Sequence, residues 1–473
     1  MTAYLKKVED FYNSIAPDYD NLKYKNRYYH EQLVRLYKFL VPQEQKVIEI
    51  GCATGELLAF LKPSRGVGID ISKAMIAEAR KKYPVLKFIN GYAENILIKE
   101  KFDYVILSDL VGILEDIQQA FLELHKIINE ESRIIISFHN YLWEPVLLLA
   151  AKFGLKMAQP TQNWLSEKDI ENFLELSNFE AIKTSSFLIV PIYIPFISKF
   201  LNKYIARLPI IRNLCLISYF IVRQKPDFAL NKDLSVSIII PARNEEGNIE
   251  EAARKIPILG SKTQLIFVEG NSRDNTRNEI IKAKGKYKGQ KDILFVDQKK
   301  GVGKADAVRK GIEKATGDML IVFDSDLTVD PKELPKFYDV LRTKKADFVQ
   351  GSRLVYPLEK DSMRFLNIIG NKFFSAAFSF LLDQRIKDTL CGTKALYRRD
   401  YDKIAINRPY FGDFDPFGDF DLIFGASKLN LKILEIPTRY KARKYGETNI
   451  SRFRHGLLLF KMTLFASRKI KFF

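Results

Sequence analysis

Two series of short β-rich runs dominate this chain of 473 residues. The first comprises "KVIEIG", "GVGIDI", "LKFING", "FDYVILS" and "RIIISF", and the second comprises "VSIIIPARNEE", "QLIFVEG", "DILFVD", "MLIVFDSD" and "DFVQGSR". Helical patterns separate the runs in both series, and this alternation is typical of parallel α/β sheets. We therefore predict an α/β fold with two domains, each built around its own sheet.

A polar segment separates the two series. The stretch "DFALNKDLS", residues 227–235, follows the first series and precedes "VSIIIPARNEE". We interpret it as a linker between a first domain, residues 1–226, and a second domain, residues 236–455. An apolar and basic insertion, residues 187–213, interrupts the first domain, and a basic amphipathic tail, residues 456–473, follows the second.

Charge and cysteine content narrow the choice of partner and compartment. The formal net charge of +18 implies an anionic partner, which is nucleic acid, a membrane surface or a phosphorylated substrate. No RNA-binding signature accompanies the charge, so a nucleic acid is not expected. The three cysteines, Cys52, Cys215 and Cys391, are far apart and lack metal-site spacing, which favours a reduced cytoplasmic protein.

A glycine-rich turn follows the first β-rich run. In "VIEIGCATGELL", Gly51 and Gly55 allow a tight turn between a buried strand and a helix, and close approach of the backbone to a ligand. In "GVGIDIS", Asp70 ends a second strand roughly twenty residues later. A carboxylate at that spacing can accept hydrogen bonds from both hydroxyls of a ribose. The combination predicts a nucleoside-containing cofactor.

With these motifs, residues 10–225 resemble the class I S-adenosylmethionine-dependent methyltransferases. Four residues match the acidic–x–Gly–x–Gly–x–Gly pattern of that family, with alanine at the middle glycine: Glu49, Gly51, Ala53 and Gly55. Asp70 matches the acid that binds the ribose. The resemblance implies a Rossmann-like fold, S-adenosylmethionine as the cofactor, and methyl transfer to an acceptor that the sequence does not identify.

Three further positions bear on the chemistry of the first domain. The family often shows Gly-Asp-Ala-Glu after its third strand, where the Asp contacts adenine; here "GYAE" puts Tyr92 there, so that contact is lost or replaced by ring stacking. Asp109 lies where such folds present cofactor or acceptor residues. His139 is either a base for the acceptor or a hydrogen-bonded loop histidine. If Tyr92 blocks the adenine pocket, this domain is instead a catalytically silent docking or regulatory module.

In the second half, polar and charged residues follow several of the predicted strands. These residues are Pro241, Arg243, Asn244 and Glu245 at the end of the first strand, Glu269 at the end of the second, and Asp324 and Asp326 at the end of the fourth. Parallel sheets bind ligands at the carboxyl ends of their strands. Asp324 and Asp326 are one residue apart, so at an extended strand end both can face one cation. Hard oxygen ligands favour Mg²⁺ or Mn²⁺, and such an ion would hold a diphosphate.

Residues 236–455 resemble the GT-A family-two glycosyltransferases, particularly the dolichyl- or polyprenyl-phosphate sugar synthases. The resemblance depends on ordered motifs: "SIIIPARNEE", "GVGKADAVRKGIEKATGD", the D-x-D at 324–326, "QGSRL", "DTLCGTKALYRRDY" and "RKYGETNISRF". It implies metal-dependent, inverting transfer from a nucleotide-sugar to a polyprenyl phosphate or glycan. The familiar Val-Asp-Asp-Gly-Ser reads "VEGNS" here, so Glu269 takes the base-contacting role, and the nucleotide stays open.

The same resemblance assigns roles to five more residues. Lys304 would assist binding of the nucleotide or phosphate, and Arg443 and Lys444 would close over the pyrophosphate, although their loop is alternatively a solvated basic turn. Asp419, in "PFGDFDLIFGA", matches the acidic general base, with Asp421 as the competitor. A phosphate acceptor attacks already ionised, in which case Asp419 would only orient Arg443 or the acceptor.

Apolar segments mixed with basic residues suggest a membrane surface. "FLIVPIYIPFISKFLNKYIARLPIIRN", residues 187–213, is interrupted by Pro191 and Pro195 and is too short to span a bilayer. "GLLLFKMTLFASRKIKFF" at the carboxyl end and "FLNIIGNKFFSAAFSFLL" are similar in character. The alternative is that all three segments pack into cores. Together with the charge, they predict peripheral binding to the cytoplasmic face of an anionic membrane.

Overall fold

The computed structural model describes residues 2–157, 159, 162–227, 233–301, 303–356, 365–410, 419–443, 445 and 452–472. The chain divides into two compact units between Lys225 and Pro226. Within these described residues, each unit contains one seven-stranded sheet.

The first sheet has the strand order β3-β2-β1-β4-β5-β7-β6. Its strands are β1 (Lys46–Ile50), β2 (Arg65–Asp70), β3 (Lys87–Asn90), β4 (Tyr104–Ser108), β5 (Arg133–His139), β6 (Phe179–Phe187) and β7 (Ile217–Gln224). Strands β1 to β5 are parallel, and β7 runs antiparallel to both β5 and β6. The chain reverses its direction of progress across the sheet between β1 and β4, which creates a crevice at their carboxyl ends.

Helices cover both faces of the first sheet. They are α1 (Ala3–Ile15), α2 (Tyr19–Tyr24), α3 (Arg27–Leu40), α4 (Glu56–Leu61), α5 (Lys73–Lys82), α6 (Ile117–Leu124), α7 (Glu144–Lys152), α8 (Glu167–Leu176) and α9 (Ile197–Lys203), with single 3₁₀ turns at Ala16–Asp18, Val111–Ile113, Tyr141–Trp143, Ile205–Arg207 and Ile211–Leu214. Alternate residues of β1 enter opposite core layers: Ile48 and Ile50 pack in one, and Val47 in the other. This period of two is what a strand covered on both faces requires.

The second sheet has the strand order β10-β9-β8-β11-β13-β12-β14. Its strands are β8 (Val236–Ala242), β9 (Thr263–Glu269), β10 (Asp292–Asp297), β11 (Met319–Val322), β12 (Phe348–Ser352), β13 (Lys394–Tyr397) and β14 (Ile433–Pro437). Strands β8 to β11 are parallel, whereas β13 lies antiparallel between β11 and β12. Strand β14 is parallel to β12. The equivalent crevice lies between β8 and β11.

The helices of the second unit are α10 (Glu246–Lys255), α11 (Thr276–Lys286), α12 (Gly303–Glu313), α13 (Leu334–Arg342), α14 (Phe365–Leu382), α15 (Arg398–Asn407), α16 (Asp419–Lys428) and α17 (Arg452–Ala466). Single 3₁₀ turns at Pro331–Glu333 and Arg408–Tyr410 precede or follow them, and a π turn, Ser467–Lys471, continues α17. Across the described ranges of both units, no helix combines the length and the apolar character needed to cross a membrane.

Candidate active sites

The glycine-rich turn of the first unit closes onto Asp70. Gly51 and Gly55 have φ angles of +74° and +78°, and a Cβ atom at Gly55 would lie 2.5 Å from Cζ of Phe88. Ala53 also has a positive φ angle, of +44°, and its N–H donates to Asp70 Oδ2 at 2.8 Å. The alanine at the middle glycine position is therefore held in a left-handed conformation by the carboxylate at the end of β2.

Both carboxylates of this turn accept backbone hydrogen bonds. Asp70 Oδ1 accepts from the N–H of Ser72 at 2.8 Å, and Glu49 Oε2 accepts from the N–H of Leu58 in α4 at 3.1 Å. Burial raises the pKa of Asp70 to about 6, against the opposing effect of its two backbone hydrogen bonds. Burial also raises the pKa of Glu49 to about 8, while Lys23 lowers it. These carboxylates are desolvated and lack a side-chain cation at hydrogen-bonding distance among their described contacts.

A cavity of about 420 Å³ opens at the carboxyl ends of these strands. Its lining includes most of the residues that the sequence assigns to the cofactor and to chemistry: Glu49, Gly51, Ala53, Asp70, Tyr92, Asp109 and His139. Gly55 belongs to the turn but not to the lining. Tyr92 is partly buried in the wall, next to Gly91 and Ala93.

The amino-terminal segment lies over the glycine-rich turn. Thr54 Oγ1 donates to Asp20 Oδ1 at 2.9 Å, and Ser72 Oγ donates to Asn13 Oδ1 at 2.7 Å. Tyr19, between these two anchors, lines the cavity. The segment "YNSIAPDYD", residues 12–20, thus lies against the turn.

A hydrogen-bonded chain joins Tyr29, Asp109 and His139. The Tyr29 hydroxyl donates to Asp109 Oδ2 and lies 3.0 Å from His139 Nε2, while Gln162 Nε2 lies 3.1 Å from His139 Nδ1. Tyr29 has one proton and gives it to Asp109, so it must accept from His139 Nε2–H, and Nδ1 then accepts from Gln162. Burial lowers the pKa of His139, although Asp109 opposes the effect, so the imidazole is neutral in this arrangement. Tyr29 and Gln162 carry no sequence signal, because they lie far from the motifs along the chain.

In the second unit, the loops after β8 and β9 are tied together. Asn244, with a φ angle of +58°, donates its N–H to Ser272 Oγ at 3.0 Å, and its Oδ1 accepts from the N–H of Arg273 at 2.8 Å. Glu269, buried at the end of β9, accepts from the N–H of Ser272 at 2.6 Å. These bonds fix the two loops on one side of the crevice, with Arg243 exposed beside them.

Each carboxylate of the D-x-D motif is paired with a cationic side chain. Lys304 Nζ lies 2.6 Å from Asp324 Oδ1, and Arg443 Nη2 lies 2.6 Å from Asp326 Oδ2. Arg443 Nη1 also lies 3.3 Å from Glu245 Oε1, so the arginine joins the loop after β8 to the loop after β11. The intervening Ser325 donates its hydroxyl to the carbonyl oxygen of Pro241 at 2.9 Å.

A short antiparallel contact positions Arg443 at the crevice. Val329 and Tyr440 form an antiparallel bridge, and the N–H of Lys441 donates to the carbonyl oxygen of Thr328 at 2.8 Å. Thr328 in turn donates its N–H and its hydroxyl to Asp326 Oδ1, at 3.1 and 2.8 Å. The basic segment and the D-x-D loop are therefore one hydrogen-bonded structure.

The pKa values of Asp324 and Glu245 in this crevice are shifted in opposite directions. Burial alone would raise the pKa of Asp324, but Lys304, with Lys394 and Arg353, lowers it on balance. Burial raises the pKa of Glu245 to about 7; Asn248 and Arg443 oppose that rise, and the acids of the D-x-D motif add to it. The crevice thus holds a firmly ionised Asp324 and a Glu245 that titrates near neutrality.

The buried ion pair of Arg353 and Asp388 contributes to the electrostatic environment of Asp324. Arg353, in "QGSRL", binds both oxygens of Asp388, in "DTLCGTK", at 2.7 and 2.9 Å, and Asn371 donates to the same carboxylate at 2.9 Å. Gly392, four residues further on, passes so close to the D-x-D motif that a Cβ atom there would lie 2.0 Å from Asp324 Oδ2. Only glycine fits at this position without displacing the carboxylate. Both motifs belong to the resemblance seen in the sequence, but that resemblance assigned no role to Arg353, Asp388 or Gly392.

The candidate base positions are less completely described. Asp421 lies in α16 and is buried, with Arg408 Nε at 2.7 Å and Arg309 Nη2 at 3.4 Å. Asp419 begins α16, but its side chain lies outside the described residues, as does the whole of Lys444. Asp421 is thus paired with two arginines.

The D-x-D acids also bear on metal binding. In the part of the chain that the structure describes, no group of three or more His, Cys, Asp or Glu side chains could hold a metal ion. Asp324 and Asp326 offer two hard carboxylates, and Mg²⁺ is commonly held by one or two carboxylates together with water and substrate phosphates. The donor set therefore fits an ion that takes its other ligands from a bound diphosphate.

Two family models match the chain. The model described as "Methyltransferase domain" matches residues 47–131, and the model described as "Glycosyl transferase family 2" matches residues 237–404. These matches and the two sheets define a transferase with two domains of different chemistry. The protein is a family-two glycosyltransferase fused to a methyltransferase, and both resemblances inferred from the sequence are confirmed.

Curated relatives match the glycosyltransferase half. The glycosyltransferase AglJ of Haloferax volcanii is 27% identical over 228 residues, which cover 48% of this chain and 70% of the relative. The dolichol-phosphate mannosyltransferase of Pyrococcus furiosus is 26% identical over 223 residues, covering 46% of this chain and 59% of the relative. For the glycosyltransferase AglD of H. volcanii the share of the relative falls to 36%. The chain therefore spans only part of the length of these relatives.

Solved structures similar to each half are also found. A methyltransferase of Thermotoga maritima shares 17% identity, with 46% of this chain and 99% of that chain covered and a TM-score of 0.37. The glucosyl-3-phosphoglycerate synthase of Mycobacterium tuberculosis shares 18% identity, with 50% and 80% covered and a TM-score of 0.37.

Proposed function

We propose that the second domain transfers a sugar from a nucleoside-diphosphate donor to a polyprenyl phosphate, with inversion at the anomeric carbon. The observation that carries this proposal is the double pairing at the carboxyl ends of β8 and β11, where Lys304 lies on Asp324 and Arg443 bridges Asp326 and Glu245. Two cationic side chains that are paired with carboxylates at one crevice suit a ligand that brings both negative charge and a metal ion.

The chain's own residues would act on the departing diphosphate. Lys304 and Arg443, joined by Lys444, would bind its oxygens and stabilise the charge that develops as the anomeric bond breaks. Asp324 and Asp326 would hold Mg²⁺ or Mn²⁺, and such an ion, when bound, supplies further neutralisation of the diphosphate. Pro241, Arg243, Asn244 and Glu269 form the part of the crevice where the nucleoside would bind.

The acceptor phosphate would need no general base, because it is ionised near neutral pH. Asp419 would then position the acceptor or Arg443. The named activity of the P. furiosus relative, a dolichol-phosphate mannosyltransferase, supports a polyprenyl phosphate as the acceptor. The experiment is transfer of radiolabelled sugar from a panel of nucleotide-sugars, with Mn²⁺, to polyprenyl phosphate and to soluble glycans. Transfer only to a soluble glycan would contradict the proposed acceptor.

The first domain would transfer a methyl group from S-adenosylmethionine. Its turn, Gly51 to Gly55, and Asp70 would hold the nucleoside part, and Tyr92 would stack on the adenine. Asp109 and His139 lie in the same cavity, where Tyr29 fixes them relative to each other. A neutral His139 with both ring nitrogens hydrogen-bonded suits a positioning role better than a free base, so Asp109 would take the proton of a hydroxyl or amine acceptor.

We also propose that the protein binds the cytoplasmic face of the membrane peripherally. Residues 187–213 combine exposed apolar side chains, such as Tyr193 and Phe200, with lysines and arginines. This composition suits the headgroup region of an anionic bilayer. Flotation with anionic liposomes at low salt tests the proposal, and protein that stays at the bottom of the gradient would contradict it.

A further inference from the structure

Two surface segments of the first unit expose large apolar side chains. Residues 141–155 include a 3₁₀ turn and α7, and residues 192–214 include α9 and two 3₁₀ turns. Most of the exposed large apolar side chains in the described part of this unit belong to these segments, with Phe196 90% and Ile210 82% exposed. We call these exposed side chains the apolar surface. A patch of this kind on a folded protein marks a binding face.

The two segments are joined where they meet the sheet. Trp143 Nε1 donates to the carbonyl oxygen of Leu214 at 2.9 Å, and Asn140 Nδ2 donates to that of Asn213 at 2.9 Å. Helix α7, "EPVLLLAAK", is apolar on almost all sides, yet only Leu147 in it is buried. A helix that is apolar all round is normally enclosed by protein or by lipid.

The apolar surface continues into the methyltransferase cavity. Val146, Leu155 and Ile192 are exposed, and all three also line the cavity. The polar groups deeper in the same cavity include Tyr29 and His139. The route from the outside to the reacting groups is therefore bordered by apolar side chains.

The charged residues of these two segments are almost all basic. Residues 188–214 contain no acidic residue and four cationic ones, of which Lys199, Lys203 and Arg212 are at least partly exposed and Arg207 is buried. Glu144 is the only acid in residues 141–156, which also contain Lys152 and Lys156. Basic side chains next to apolar ones match the headgroups and the acyl boundary of an anionic membrane.

We propose that the methyl acceptor is an amphiphilic molecule carried in an anionic membrane, and that its head group enters the cavity from the apolar surface. A freely diffusing polar acceptor would gain nothing from an apolar entrance. The acceptor atom would use its electron pair to bond the methyl carbon, the carbon–sulfur bond of the donor would break toward sulfur, and any acceptor proton would pass to Asp109. The inference depends on the methyl transfer proposed above.

The test uses the full chain and S-adenosylmethionine with a tritiated methyl group. The acceptor source is vesicles of phosphatidylglycerol and phosphatidylcholine containing the total lipid extract of the source organism, with the water-soluble extract assayed in parallel. The variant Phe196→Ser/Ile210→Ser removes apolar area outside the cavity. The control, Val85→Ser/Leu97→Ser, changes two residues of the same unit that are 97% and 83% exposed but lie outside both segments.

We expect label in the organic phase, at least tenfold less labelling and vesicle binding in the Phe196/Ile210 variant, and no change in the control. S-Adenosylmethionine affinity should be the same in all three proteins. Label only in the aqueous phase, or equal lipid labelling by the Phe196/Ile210 variant, would overturn the inference and leave methyl transfer intact. Cofactor binding without label in either phase would overturn the methyl transfer, and the inference with it.

Discussion

The two units satisfy their buried carboxylates in opposite ways. In the first, Asp70 and Glu49 accept hydrogen bonds from backbone N–H groups, and burial raises both pKa values. In the second, Asp324 and Asp326 are paired with Lys304 and Arg443. Both sites lie where a parallel sheet reverses its strand order, so the sheet does not explain the difference.

This difference in pairing determines which ligand charge each crevice can accept. Desolvated carboxylates without a cation favour a ligand that brings hydroxyl donors and positive charge, which describes the ribose and sulfonium of S-adenosylmethionine. Carboxylates already paired with cations favour a ligand that brings its own metal ion and takes over the cations, which describes a nucleoside diphosphate. Five experiments test this contrast.

The largest effect is expected for Asp326→Asn. The substitution removes one of the two carboxylates proposed to hold the metal ion, and one partner of Arg443, and should lower sugar transfer by roughly 10²–10³-fold. The control is Asp339→Asn, which removes an exposed ion pair with Arg342 on α13 and should leave transfer unchanged. Undiminished transfer by the Asp326→Asn protein would break the assignment of the second crevice.

Asp70→Ala should weaken S-adenosylmethionine binding by about thirty-fold or more. The loss of hydrogen bonds from both ribose hydroxyls to a charged acceptor costs on the order of 2–3 kcal/mol. Asp103→Ala is the matched control, because Asp103 also accepts a backbone N–H, from Lys46 at 2.9 Å, but at the amino ends of β1 and β4. Calorimetry that shows equal affinities for the two variants would be incompatible with the assignment.

Asp70 and Asp324 should make opposite contributions to the pH dependence of stability. Folding raises the pKa of Asp70 from 3.8 to about 6, so its contribution to stability is greatest below about pH 4 and is lost as the pH rises through about 6. Folding lowers the pKa of Asp324, so its contribution is present at neutral pH and is lost as the pH falls. The loss in the first unit should be at least about 1 kcal/mol.

Urea unfolding followed by tryptophan fluorescence measures the first unit selectively, because both tryptophans, Trp143 and Trp164, belong to it. Asp70→Asn should flatten the dependence between about pH 4 and 6. Glu49→Gln should flatten it at higher pH, since the pKa of Glu49 is about 8. An unchanged slope in the Asp70→Asn protein would mean that burial does not control this carboxylate.

The smallest effect is expected for Tyr29→Phe. It removes the hydroxyl that holds Asp109 and His139 together, and should lower kcat for methyl transfer roughly fivefold with little change in the KM for S-adenosylmethionine, in line with about 1 kcal/mol for one hydrogen bond. Tyr4→Phe is the control, since Tyr4 donates its hydroxyl to the carbonyl oxygen of Ile113 at 3.2 Å. A proportional rise in KM instead would place Tyr29 in cofactor binding.

The sequence predicted most strands of both sheets but not strands such as β6 and β13. Strands β1, β2, β4, β5, β8, β9 and β11 are almost wholly buried, as strands covered on both faces are, whereas the edge strands β3 and β10 are only partly buried. Strand β6, "FEAIKTSSF", is mostly polar and has a register irregularity between Ala181 and Lys183. Strand β13 has only four residues and depends on antiparallel pairing with β11 and β12. Such strands are set by tertiary contacts, which local patterns do not contain.

The sites show the same division. Residues within one motif, such as Gly51 and Asp324, were predicted because turn chemistry and strand-end spacing are local. The pairing of Arg443 with Asp326 and that of Tyr29 with Asp109 join residues 117 and 80 positions apart. No property of the separate segments indicates those contacts. The motifs predicted the residue types of each site, and the fold determines which carboxylate receives a cation.

The most direct test of the contrast is a crossed calorimetric titration. S-Adenosylmethionine, and UDP or GDP with Mn²⁺, are each titrated into the wild-type, Asp70→Ala and Asp326→Asn proteins. We predict that Asp70→Ala weakens the binding of S-adenosylmethionine only and that Asp326→Asn weakens the binding of the Mn²⁺–nucleotide only. Mn²⁺–nucleotide affinity that is unaffected by Asp326→Asn but reduced by Asp70→Ala would contradict this prediction.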